Sequence, residues 1–176
     1  MKILRRINCF TEGFVHDLRL FNPKASLIIG LITLILGVFS WLVGGTPDTV
    51  NLIYIFPRWA LSTGVMYFLW LVSFVFAGII IGGIFFGCEK FKRREASKIL
   101  VFFCLSLLFT LCVYPTFFKA LAPFITFILL FTAAFFCFLS ILVAKRIFSL
   151  WTIMLCLHFA WLTYNGCLSL VFALIN

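Results

Sequence analysis

Five long apolar runs separated by short polar stretches organise this chain. The first, Ala25 to Val43, has about 19 residues, enough to cross a hydrocarbon core of roughly 30 Å. It stops at Gly44-Gly45-Thr46-Pro47-Asp48, a strong helix breaker. A mixed stretch with Thr49, Asn51 and Tyr54 then reads as an ordered loop lying over a helix bundle, the expected lid of any interior site. The second run goes from Trp59 to Gly87, and a hydrophilic turn from Cys88 to Lys98 follows. The third run, Ile99 to Phe118, is interrupted at Tyr114-Pro115; the fourth, Pro123 to Ala144, begins with proline where a helix can start. Lys145-Arg146 separates it from the fifth, Ile147 to Ile175. The pattern predicts an all-α integral membrane protein, a bundle of five transmembrane helices over residues 25–176.

Residues 1–24 differ. Lys2, Arg5, Arg6, Arg19 and Lys24 are interspersed with Ile3, Leu4, Ile7, Phe10, Phe14, Val15 and Leu18 near the helical period, which predicts a basic amphipathic segment on the membrane surface. The polar interruption from Thr11 to Asp17 separates it from a signal peptide, so it is expected to be retained.

Composition narrows the class further. With 65% hydrophobic residues, 11% charged and 25 phenylalanines, no soluble single domain could hide this chain from water. The net charge of +9 lies beside the spans without the aromatic interleaving of a base-stacking platform, which argues against nucleic acid. Of 14 Lys and Arg, only Arg58 and Lys119 fall on the side opposite the N-terminal segment. That asymmetry predicts a cytoplasmic N-terminus and an external C-terminus, and favours a bacterial plasma membrane.

Acidic residues end at Glu95, so a proton-coupled or ion-coupled pump has no intramembrane carboxylate to work with. The seven cysteines form no CxxC pair, and His16 and His158 are far apart, so neither a metal site nor a disulfide framework is expected. Phosphate-binding loops, nucleophile elbows and HExxH are missing, so nothing marks an enzyme or a cofactor.

What remains is aromatic. Trp41, Trp59 and Trp151 fall near span ends, where an interfacial belt is the ordinary role; Trp70 and Trp161 lie inside spans. On one helix, Trp59 and Trp70 would be separated by roughly 16 Å, one ring at the mouth of the bundle and the other within it. In the last span Trp161, Asn165, Leu168 and Phe172 share a face, joined by Tyr164, combining stacking surface with an amide and a phenol. An amide in hydrocarbon needs a partner, from a neighbouring helix or a ligand. Gly78, Gly82, Gly83 and Gly87 form two GxxxG spacings, suited to packing within the chain or to a dimer face.

Three blocks resemble the TspO/MBR family, the tryptophan-rich sensory or translocator proteins. Pro57-x-Trp59 with Trp70, Phe74 and Gly78 is similar to the family's Pro-x-Trp and helix-2 motif. His158-Phe159-Ala160-Trp161-Leu162-Thr163-Tyr164-Asn165-Gly166-Cys167-Leu168-Ser169, with Ile175-Asn176, is similar to its closing helix. Tyr114-Pro115-Thr116-Phe117-Phe118 is similar to a segment of its helix 3. The resemblance implies a five-helix fold with a pocket for porphyrins and other flat aromatic ligands, lined by Trp59, Trp70, Trp161, Asn165 and Leu168, with Tyr164 and Tyr54 orienting polar edges. It also implies a homodimer and, as in some bacterial members, light-dependent porphyrin breakdown involving Trp70 and Trp161. Two other functions fit the composition: a transporter of small apolar solutes, and an assembly subunit whose working surface is the glycine face of the second span.

Overall fold

The computed structural model describes residues 2–45, 55–87 and 93–176. Six α-helices account for nearly all of them: α1 (Lys2–Leu20), α2 (Pro23–Gly44), α3 (Thr63–Phe86), α4 (Arg93–Tyr114), α5 (Pro123–Ala144) and α6 (Ser149–Ile175). Helices α2 to α6 are each long and apolar enough to cross a membrane, α4 together with the π turn Pro115–Lys119 that continues it. The protein is an all-α, five-helix membrane bundle, with a sixth helix at its N-terminus.

Local chemistry sets the helix limits. The Asn22 side chain accepts the Ala25 N–H at 3.2 Å, and Pro23 occupies the first turn of α2, where a missing N–H costs nothing. At the other end Gly45 takes a φ of +85°, open to glycine, and returns its N–H to the Trp41 carbonyl. The second span starts later than its apolar run suggests. Ala60 N–H bonds the Pro57 carbonyl at 2.9 Å, closing a turn, so Trp59 lies in that turn and not on α3. Trp59 and Trp70 are therefore not three turns apart on one helix. The third span starts earlier, at Arg93, and the polar turn contributes its first helical residues, with a Glu95–Lys98 ion pair at 2.7 Å. At Tyr114-Pro115 the helix widens instead of stopping, with the Ala120 N–H reaching back to the Pro115 carbonyl at 3.1 Å.

Around the bundle the helices run α2, α3, α6, α5, α4, and α4 closes the ring against α2. The buried residues of α2 are all small: Ser26, Gly30, Thr33, Gly37, Ser40 and Gly44. Such a stripe lets helix backbones approach closely, the main way helices gain contact where lipid competes for every apolar surface. Gly78 meets it directly, since a Cβ there would stand 2.5 Å from the Gly30 Cα, and at Gly82 one would stand 2.5 Å from the Ser26 Cα. Gly83 is covered by the Trp151 ring of α6, and Gly87 lies against its own preceding turn. The glycine face is thus occupied by packing within the chain. Outward-facing Leu31, Ile35, Phe39, Phe68, Phe131 and Leu157 present apolar side chains all round, as a lipid solvent requires.

Candidate functional site

At the end of the bundle where α3 begins and α6 finishes, a cavity opens between α3, the π turn, α5 and α6. From α3 come Thr63, Met66, Tyr67 and Trp70, at the i, i+3, i+4, i+7 spacing of one helix face. Val113, Tyr114, Phe117 and Phe118 come from the end of α4 and its π turn, Thr126 and Leu130 from α5. Helix α6 adds Asn165, Leu168, Ser169 and Phe172, and Phe56 closes the rim.

Seven of the fifteen lining residues are aromatic. Trp70 meets Tyr114 with ring centroids 5.8 Å apart, Tyr114 stacks on Phe118 at 4.3 Å, and Tyr67 stands edge-on to Tyr114 at 6.3 Å. Phe117 joins Phe118 and Phe172, and Phe172 is met by Phe56 at 5.0 Å. Within the π turn Phe118 stacks back on Tyr114 while Phe117 reaches Phe172.

Several polar groups in the wall are already engaged. Thr126 Oγ1 donates to the Ala122 carbonyl at 3.0 Å, and Ser169 Oγ to the Pro123 carbonyl at 2.7 Å. The indole Nε1–H of Trp70 differs: the residue is only 4% exposed and this donor has no hydrogen-bond partner among the described residues. Asn165 uses its Nδ2 on the Trp161 carbonyl at 2.7 Å, which leaves its side-chain carbonyl as an acceptor. A buried donor without a partner costs about 1–3 kcal/mol, so a ligand acceptor placed against Trp70 would recover that energy.

The space between these walls is about 70 Å³. Pockets for drug-sized ligands run from about 300 to 1,000 Å³. A flat polycyclic ligand therefore enters only when rings such as Tyr114 and Phe118 turn aside.

The sequence-derived candidates divide into two groups. Trp70, Asn165 and Leu168 line the cavity together. Trp59, Trp161 and Tyr164 form an aromatic stack beside it: Trp161 lies parallel to Tyr164 at 5.8 Å, and Trp59 stands edge-on to Tyr164 at 6.0 Å. Trp59 is 49% exposed. The helical face shared by Trp161 and Asn165 does place both backbones on one side of α6, but stacking on Tyr164 takes the Trp161 ring out of the lining. Tyr54 lies outside the described residues, as does the loop from 46 to 54 that was expected to cover the bundle.

The strap that follows that loop is tied to α6. Asn176 accepts the Ile55 N–H at 2.8 Å through Oδ1 and donates through Nδ2 to the Ile55 carbonyl, while Leu61 N–H reaches the Tyr164 hydroxyl at 3.3 Å. Sequence reasoning missed Tyr67, Met66 and Thr63, although their spacing with Trp70 was readable. It had no signal for Leu130 or Val113, which reach the cavity only through helix docking.

Among the described residues no group of three or more His, Cys, Asp or Glu side chains could hold a metal ion. The described cysteines, Cys104, Cys112, Cys137, Cys156 and Cys167, are free thiols. No family model and no curated protein matches the chain.

Proposed function

We propose that this chain is a membrane receptor or carrier of the TspO/MBR type, taking a flat aromatic ligand of the tetrapyrrole class into the cavity between α3, α5, α6 and the π turn. The observation that carries this reading is the Trp70 indole N–H, buried without a partner among the described residues in a cavity that an amide with acceptor capacity also lines. Rigid rings supply stacking area at small entropic cost, and one or two polar groups set orientation. The ligand class itself comes from the resemblance of the two tryptophan blocks. Binding proceeds by opening: the strap at 55–61 lifts, Tyr114 and Phe118 rotate, and the ligand takes the space they leave. The distribution of basic residues supports placing the N-terminus in the cytoplasm of a bacterial cell.

The test is titration of protoporphyrin IX into the detergent-purified protein in the dark, followed by the ligand's own absorbance. The wild type should saturate, Trp70→Phe should weaken binding about five- to tenfold through loss of one hydrogen bond, and Trp161→Phe should bind as the wild type does. A signal that never saturates, or is equal in all three proteins, would mean partition into micelles and would sink this reading.

A further inference from the structure

Helix α1 docks on the bundle by a face that carries a glycine and an aspartate beside an aromatic ring. The contact runs through Gly13, whose Cα faces Ser149, and through Asp17, only 4% exposed, whose Oδ2 accepts the Leu150 N–H at 3.0 Å. Phe148 at the start of α6 provides no side-chain cap, so a carboxylate from another helix fills that role at the positive end of the α6 dipole. Phe21 completes the joint, its ring 5.6 Å from that of Trp151. Phe14 also packs against the core there, while its apolar neighbours stay outside: Val15 is 47% exposed and Leu18 48%.

Exposed Arg19, Lys24, Arg93, Arg94, Lys145 and Arg146 stand at this same end of the bundle, where α2, α4 and α6 begin. An apolar stripe beside a basic sector is the chemistry of a helix lying in the headgroup region of an anionic leaflet. We infer that α1 is an anionic-lipid-binding helix, Val15 and Leu18 set among acyl chains and Arg19, with the other basic residues at this end of the bundle, against headgroup phosphates, held at that depth by the Asp17 cap on α6. Each Lys or Arg close to such a surface strengthens binding about fivefold.

The experiment is peptide-resolved amide hydrogen exchange of the full chain in lipid nanodiscs of phosphatidylcholine, with and without phosphatidylglycerol. Amides 11–20 should exchange at least fivefold more slowly with phosphatidylglycerol present. Val15→Gln/Leu18→Gln should abolish this difference while the Leu150 amide stays protected, which shows that the variant is folded and α1 still docked. Equal exchange in the two lipids overturns the proposal. So does protection that inorganic phosphate restores in neutral discs, which would mark a free-anion site, or protection that follows the number of chains per disc, which would mark a second copy of the chain on the stripe.

Discussion

Pro115 has no N–H to give the Leu111 carbonyl, and the Ser40 hydroxyl of α2 donates to that carbonyl instead. A proline inside a span is tolerable on this condition, since hydrocarbon offers no other donor. Ser40→Ala should lower stability by about 1–3 kcal/mol by orphaning the carbonyl, measurable as a lower unfolding temperature in detergent. Thr163→Val is the control. Its hydroxyl bonds the Phe159 carbonyl of its own helix on an exposed face, and its loss should leave that temperature nearly unchanged. Glycine positions separate in the same way. A side chain larger than hydrogen at Gly78 must displace Gly30 and Thr33, and Gly78→Leu should cost about 1–3 kcal/mol or more. At Gly64 a Cβ would meet nothing within 4 Å, so Gly64→Ala should be neutral or slightly stabilising in the same assay.

Among elements, the strap at 55–61 and the end of α6 behave as one unit. Two hydrogen bonds from Asn176 hold Ile55, one from Leu61 reaches Tyr164, and the Phe56–Phe172 contact seats the strap over the cavity rim. Asn176→Ala should therefore speed exchange of the Ile55 amide without altering the amides of α5, as read by hydrogen exchange. If the strap gates entry, the same variant should raise both association and dissociation rates of protoporphyrin IX, with little change in affinity. Unaltered rates would mean that the ligand enters between helices from the lipid. The π turn works at this scale too. By widening the helix after Pro115, it changes the azimuth of the residues that follow, and Phe117 there meets Phe172 while Phe118 lies on Tyr114.

For the molecule as a whole, five spans among the described residues predict termini on opposite sides of the membrane. With the basic residues at the α1 end, a reporter enzyme active only outside the cytoplasm should work when fused after Asn176 and fail when fused before Lys2. Activity from both fusions would contradict the orientation. Five apolar runs were legible because hydrophobic length and charge placement are one-dimensional properties, written directly along the chain, whereas the starts of the second and third spans shifted to Thr63 and Arg93. The place of Trp70, Asn165 and Leu168 in a common wall followed from helical period combined with family resemblance. Period alone could not separate them from Trp161, because which way a ring turns depends on a neighbour such as Tyr164. Nor could an apolar run reveal that Trp59 precedes α3, since the Pro57–Ala60 turn is written in backbone hydrogen bonds and not in hydropathy. The sequence by itself thus determined the class of protein, the number of spans and the asymmetry of charge. Tertiary structure alone decided which small residues meet across α2 and α3, which aromatic rings enclose the cavity, and that α1 docks through Gly13, Phe14 and Asp17. Those outcomes depend on the relative rotation and depth of whole helices, set by close packing among all five spans together.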